Sequence, residues 1–397
     1  MRISFCAHII PGGIDPGDCF FKNIFQQVVP LDNSYYMKMA LDLAASAMGR
    51  TSPNPMVGAV LVKDGKVVGK GYHARAGTPH AEVVALRDAG EAARGSTLYV
   101  TLEPCCHHGR TGPCTEAVIE AGVKKVVAAM TDPNPMVAGK GFDRLREAGL
   151  EVEAGIMEED ARSLNEVFIK YITTGLPFVV MKAAVSLDGK IATRTGDSQW
   201  ITGPGAREYG HSLRDRYDAV LVGINTVLAD NPSLNTRVPG GGRDPVRVVL
   251  DSQARTPPEA KIINSSPGAP VIIITTPGAP AGRLAALEEA GARVEIAPAV
   301  SGRVDIKAAF AGLARRGITS ILIEGGGVVH ASALDSGMVD KVVWFIAPLL
   351  IGGLEAPGPL GGEGPEKLAG ATALDRVNVS RIGGDILVEG YISRQRG

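Results

Sequence analysis

The sequence predicts a two-domain α/β protein, and three observations predict it. Strand-like and helix-like segments alternate along most of the chain from Tyr35 onward. The length, 397 residues, exceeds what a single hydrophobic core normally fills. A helical stretch running into "TTGLP" divides the alternation in two and places the boundary near Thr174 to Pro177.

The first half opens with "YYMKMALDLAASAMG", rich in helix formers and closed by Gly49. "MVGAVLV", "KDGK" and "VVGKGYH" read as strand, turn and strand, with Asp64-Gly65 as the hairpin signal. "AEVVALRDAG" is a helix, "STLYVTLEP" a strand, "TEAVIEAG" a helix and "VKKVVAAMTD" a strand. "GKGFDRLREAG" then reads as a helix and "LEVEAG" as a short strand. "EEDARSLNEVFIKYITTGLP" is one helix ending in a Gly-Pro stop.

The second half restarts with "FVVMKAAVS" as a buried strand. "YDAVLVGI", "VRVVLDS", "PVIIITT", "ARVEIA", "SILIEGG" and "KVVWFIAP" are further strands. Helices are expected near residues 205–216, 282–290, 306–316 and 330–335. "PGGGRDP", "NSSPGAP" and "TPGAPAG" are surface loops, and "VGINTVLADNPSLNTR" ends a strand in a polar loop. "TSPNPMVG" and "TDPNPMVAG" echo each other, but one short match does not make a repeat architecture. The domains are therefore 35–175 and 176–397, after an extension, residues 1–34, of unknown role. That extension has broken apolar pieces and no clean signal-peptide core.

Composition narrows the function. Hydrophobic residues are 45% and charged residues 21%, as in an ordinary globular protein. A formal net charge of −1 argues against a phosphate-backbone binder, so no nucleic-acid partner is expected. No apolar run is long enough to span a bilayer, so no membrane partner is expected either. The five cysteines, an odd number unevenly spread, fit a reducing compartment and a cytoplasmic location.

Residues 101–114, "TLEPCCHHGRTGPC", hold three of the five Cys and two of the seven His. A catalytic zinc takes three protein ligands and leaves one position open, and two Cys with one His is an established set. Cys105 and Cys114 each follow a Pro, and Cys114 directly precedes a predicted helix, where backbone N–H groups favour thiolate. Upstream, "TPHAEVVAL" places His80 at a helix start and Glu82 two residues on. Residues two apart on a helix point in different directions, so one can bind metal while the other handles protons. His-x-Glu, then Pro-Cys, then a later Cys is the signature of zinc-dependent base deaminases. Cys106, His107 and His108 are further candidate ligands, though a set exists without them. A purely structural zinc site would use four protein ligands and have no need of Glu82. A Cys105–Cys106 redox pair would be strained.

The motifs "TSPNPMVGAVLV", "GYHARAGTPHAE", "YVTLEPCCHHGRTGPC" and "DPNPMVAGKG" resemble the deaminase half of the bifunctional riboflavin biosynthesis family RibD. Cys106 and Gly112 depart from its usual Ser and Pro without removing a ligand. In the second half no G-x-G-x-x-G appears, so a Rossmann dinucleotide fold is not supported. "MKAAVSLDGKIAT", "GDSQWITG", "VGINTVLADNPSLNTR" and "SILIEGGGVVHASAL" instead resemble the reductase half of the same family. The resemblance covers the chain from Tyr35 to near its end. It implies an N-terminal cytidine-deaminase-like zinc α/β/α domain and a C-terminal dihydrofolate-reductase-like α/β domain.

Carried over by position, Ala184, Trp200, Thr226, Asp230 and Gly326 fall where the family contacts NADP. Ser198, Arg214, Leu234, Arg237 and Glu324 fall where it contacts substrate. Arg214 and Arg237 make physical sense as a clamp for a ribose phosphate, since guanidinium forks match phosphate oxygens. Lys182 and Glu324 stand as sources of charge or protons near the reacting sugar carbon. Asn54, in the "PNP" turn, is expected to hydrogen-bond the pyrimidine.

The resemblance thus implies a bifunctional enzyme. One Zn2+ per chain, held by His80, Cys105 and Cys114, and Glu82 as general acid/base would deaminate 2,5-diamino-6-(5-phosphoribosylamino)pyrimidin-4-one. NADPH would then reduce the ribosyl group, giving 5-amino-6-(5-phosphoribitylamino)uracil. The partner is a small-molecule pyrimidine ribosyl phosphate, and a homo-oligomer is expected. Two other readings share these residues: a nucleic-acid base deaminase with an appended binding domain, and a non-catalytic zinc scaffold.

Overall fold

Two sheets, each covered by helices, organise the computed structural model, which describes residues 32–107, 112–135, 137–265 and 268–394. The extension up to residue 31, and His108 in the inter-cysteine loop, lie outside the described residues.

The first unit begins with α1 (Asn33–Ala45), capped by the Asp32 carboxylate, so the helix starts inside the segment read as extension. It continues β1 (Gly58–Lys63), β2 (Lys66–Tyr72), α2 (Ala81–Ala89), β3 (Thr97–Val100), α3 (Cys114–Glu120), β4 (Lys125–Ala128), α4 (Lys140–Glu147) and β5 (Glu151–Ala154). The strand order is β2-β1-β3-β4-β5. β1 runs antiparallel to both its neighbours, and β3, β4 and β5 are parallel. Period-two alternation is visible in β1: Ala59 and Leu61 enter one core, Val60 and Val62 the other. The expected single helix over 158–177 is two, α5 (Glu158–Leu164) and α6 (Glu166–Thr174), broken at Asn165. Asn165 turns its amide on the Met56 backbone, accepting from Met56 N and donating to Met56 O.

The second unit holds β6 (Phe178–Ser186), α7 (Pro204–Arg216), β7 (Ala219–Gly223), α8 (Ile224–Asp230), β8 (Val246–Leu250), α9 (Lys261–Asn264) and β9 (Val271–Thr275). It continues with α10 (Ala281–Glu289), β10 (Arg293–Ile296), the small hairpin β11 (Ala299–Val300) and β12 (Arg303–Val304), α11 (Ile306–Arg315), β13 (Ser320–Gly325) and α12 (Gly327–Asp335). β14 (Lys341–Ala347), β15 (Leu374–Ile382) and β16 (Asp385–Ile392) complete it. The nine-stranded sheet has the order β10-β9-β8-β7-β13-β6-β14-β16-β15. Its strands are parallel from β10 to β14, and β16 and β15 add antiparallel to the end. Continuous apolar runs such as "VIIIT" in β9 are buried throughout because helices cover both faces.

The second unit departs from the sequence expectation in its smaller elements, α8 and the β15–β16 hairpin among them. The polar segment after β7 is helical, as α8. The β15–β16 hairpin was not foreseen, because β15 is half-exposed or exposed at every position and offers no apolar face to read.

Candidate functional site

The five-stranded sheet delivers the first site from three helix and loop termini. His80 is the N-cap of α2, and Glu82 sits in that helix's first turn with 3% exposure. Cys105 follows β3 through "EPC", and Cys114 is the buried first residue of α3. His80 Nδ1 lies 3.1 Å from Cys114 Sγ and 3.6 Å from Cys105 Sγ. The three donor atoms all fall within 4.8 Å of one another. Two ligands on one tetrahedral zinc are separated by roughly 3.5–3.8 Å, given Zn–S and Zn–N bond lengths. The set therefore fits that ion. Among the described residues this is the one such cluster, and neither Cys106 nor His107 belongs to it.

Electrostatics divide the roles. Burial pushes the Glu82 carboxyl up to about 7. The hydrogen bond between the two sulfurs pulls the Cys105 thiol down to about 4 and pushes Cys114 up. Cys114 N donates to Cys105 Sγ at 3.4 Å, which further favours thiolate there.

His80, Cys105 and Glu82 line a cavity of about 520 Å³. Asn54 lines it, and its Nδ2 donates to His73 Nε2 at 3.1 Å, while His73 Nδ1 donates to Pro79 O at 3.2 Å. The sequence reading missed several walls. Phe168 and Ile172 come from α6, beyond the sheet. Asp132 and Asn134 come from the second "PNP" segment, so the two echoing motifs meet on one cavity. Glu103, 3% exposed, accepts from the N–H groups of Asp132, Gly139 and Gly141 and so ties that second loop to the Cys105 loop. The echo itself was the available signal for Asn134; nothing local pointed to Glu103 or Phe168.

In the second unit the structure joins residues from three elements. Glu324 ends β13 and Arg214 ends α7. Arg214 Nε and Nη2 donate to the two oxygens of Glu324 at 2.6 and 2.8 Å, and Nη1 donates to Asn235 O at 2.9 Å. The fork expected to grip phosphate is thus engaged with a carboxylate. Burial would raise Glu324, but the Arg214 guanidinium outweighs it and holds the carboxyl down at about 2. Burial lowers the Lys182 ammonium on β6, against the pull of Glu324. Arg237 is exposed, and its N–H donates to His211 Nδ1 at 3.2 Å.

A cavity of about 350 Å³ lies beside this group, lined by Gly223, Asn225, Ser252, Arg255, Arg303 and Gly326, among others. Gly326 has φ 94°, a left-handed region that favours glycine, and it caps α12. Thr226 packs against Gly325, where an added Cβ would lie 3.0 Å from Thr226 Oγ1. Of the residues expected to meet cofactor, only Gly326 lines this cavity, with Thr226 behind it; Ala184, Trp200 and Asp230 do not. Trp200 is 67% exposed, with the Arg207 guanidinium 4.7 Å from its ring centre. Ser198 is half-exposed on the same loop. Leu234 is 5% exposed and packs into a core cluster. Arg255 and Arg303 escaped the sequence reading.

Comparison with known proteins agrees with both halves. Residues 31–130 match the cytidine and deoxycytidylate deaminase zinc-binding region. Residues 177–388 match the RibD C-terminal domain. The riboflavin biosynthesis protein RibD of Actinobacillus pleuropneumoniae is 44% identical over 368 residues, covering 93% of this chain and 96% of its own. That of Aquifex aeolicus is 45% identical over 353 residues, covering 89% and 96%. The solved Acinetobacter baumannii RibD superposes with a TM-score of 0.82 at 39% identity, covering 91% of this chain and 99% of that one. A Thermotoga maritima diaminohydroxyphosphoribosylaminopyrimidine deaminase/5-amino-6-(5-phosphoribosylamino)uracil reductase gives 0.78 at 38%, with the same coverage. With a zinc-type His–Cys–Cys cluster in one half, a reductase domain in the other and these likenesses along nearly the whole length, the chain belongs to the RibD family of bifunctional deaminase/reductases of riboflavin biosynthesis.

Proposed function

We propose that residues 35–175 hydrolyse the exocyclic 2-amino group of 2,5-diamino-6-(5-phosphoribosylamino)pyrimidin-4-one, and that residues 176–397 reduce the ribosyl group of the product to ribityl. The observation that carries the first step is the His80–Cys105–Cys114 triangle beside a buried Glu82 whose pKa lies near neutrality. Zinc, when bound by those three, supplies a water acidified towards neutrality. Glu82 would hold and move the proton from the attacking water to the departing amine, for which a pKa near 7 is well matched. Asn54 has one amide N–H on His73, and its oxygen accepts from a ring N–H of the pyrimidine.

In the second step NADPH supplies the hydride. Gly326, in the Gly223–Gly326 cavity, and Thr226 behind it would hold the cofactor, with Ala184, Trp200 and Asp230 as family positions outside that cavity. Ser198 and Leu234 meet the substrate. Arg237 binds its phosphate, and Arg214, held against Glu324, stands as the second substrate position taken from the family. Lys182, eased towards deprotonation by burial, hands a proton to the opening sugar. The protein's work here is chiefly to hold two carbons in contact.

The remaining assignments follow from surface and thiols. Among the described residues no helix is long and apolar enough to cross a membrane, and Cys105, Cys106 and Cys114 are free. The net charge of −1 and the odd, uneven cysteine count are what support a cytoplasmic enzyme working on a small molecule, without nucleic-acid or membrane partners. β15 is an exposed outer strand carrying Val377 and Val379, 51% and 63% exposed, which supports a homo-oligomer. Light scattering tests that assembly: a monomer mass removes it. The two reactions are tested by following ammonia release and NADPH oxidation separately on zinc-quantified protein.

A further inference from the structure

The loop that presents Asn54 to the first cavity is fastened to the other half of the chain. Ser52 Oγ donates to Asp218 Oδ2 at 2.8 Å. That same oxygen accepts from Thr319 N at 2.9 Å and Thr319 Oγ1 at 2.7 Å. Asp218 is 7% exposed, so these bonds are little screened. Two residues earlier, Arg50 Nη2 lies 2.9 Å from both Asp215 oxygens, and its Nη1 donates to Asp215 O at 3.2 Å. Gly49 has φ 70°, and a Cβ there would sit 2.5 Å from Asp215 O. The two halves therefore meet backbone against backbone at this point. Asn54 N then donates to Thr51 O at 2.8 Å, closing a tight turn directly above these fastenings.

We infer that Asp218, in the reductase half, is a positioning residue for the deaminase: through Ser52 it sets where Asn54 stands in the pyrimidine cavity. The inference rests on the reading of Asn54 as a pyrimidine contact. His80, Glu82, Cys105 and Cys114 sit on α2, α3 and the loop after β3, away from this junction. Loosening it therefore weakens substrate binding and leaves metal and proton transfer in place. The deaminase pocket is then not self-contained. The segment running from Arg214 to Asp218 serves both halves, since Arg214 holds Glu324 while Asp215 and Asp218 hold Arg50 and Ser52.

The test uses the full-length, zinc-loaded protein and ammonia release in the absence of NADPH. Ser52→Ala removes one donor while Asp218 keeps both bonds from Thr319, so folding is spared. It raises the deaminase KM about three- to tenfold, the factor one hydrogen bond carries. The kcat, the zinc content and the reductase KM stay at wild-type values, and Ser52→Thr restores the KM. Asp218→Asn shifts the same KM from the other side of the junction, and Gly49→Ala shifts it from the Ser52 side. Asn54→Ala sets the scale. If Asn54→Ala raises KM and Ser52→Ala does not, the positioning inference is overturned and the role of Asn54 stands. If Asn54→Ala leaves KM unchanged, the reading of Asn54 fails and takes the inference with it. A fall in kcat with loss of zinc in Ser52→Ala also overturns it, as a merely structural effect.

Discussion

Arg214 and Glu324 form a two-pronged ion pair, Nε to Oε1 at 2.6 Å and Nη2 to Oε2 at 2.8 Å, with side chains only 14% and 8% exposed. Removing one partner strands the other charge in a low-dielectric setting. Arg214→Met should therefore cost about 3–5 kcal/mol of stability in the second unit. Thermal unfolding followed in that unit checks it, and a loss within experimental error would show that the pair is dispensable.

The same pair fixes a pH dependence. The folded Glu324 carboxyl lies at about 2, below the unfolded value of about 4.3. A depressed carboxylate contributes stability that is fully present above the unfolded pKa and is lost as pH falls through the folded one. The wild-type midpoint should therefore drop between about pH 4 and 2, and Glu324→Gln should flatten that part of the curve. Denaturant titrations at stepped pH measure the difference.

Glu82→Gln should keep its zinc and lose ammonia release about 10²–10⁴-fold, the range expected for a proton shuttle. Metal analysis alongside the assay separates this from a failed site. Normal turnover in a zinc-replete variant would remove Glu82 from the chemistry.

Arg237→Ala should raise the KM of the reductase step about tenfold or more, as loss of a charge-assisted phosphate contact would. NADPH affinity, read by fluorescence titration, should change little. Equal effects on both would place Arg237 on the cofactor instead.

Stripping the metal with a chelator should stop ammonia release and spare NADPH oxidation when the deaminated intermediate is supplied directly. His80, Cys105 and Cys114 lie wholly in the first unit, so the second has no ligand to lose. Zinc readdition should restore the first reaction.

What could be read in the sequence follows from how tightly chemistry constrains residue type. A three-ligand zinc site demands particular side chains at particular spacings, so His80, Glu82, Cys105 and Cys114 stood out, and the structure brings them together. Phe168 reaches the same cavity only because α6 folds back over the sheet, and no local pattern records that. Glu103 serves four backbone N–H groups whose positions exist only after folding. The pairing of Arg214 with Glu324 joins α7 to β13, and no local pattern records that either. α8 was hidden by its polar and β-branched residues, and β15 by its exposure.

One chain performing two reactions in a fixed order is tested most directly by supplying the diaminopyrimidinone phosphoribosyl substrate to zinc-loaded protein and recording ammonia and NADPH separately. Ammonia release should be stoichiometric without NADPH, and NADPH oxidation should begin only once deaminated product has formed. NADPH oxidation that proceeds at full rate on the undeaminated substrate, or zinc-replete protein that yields neither signal, would contradict it.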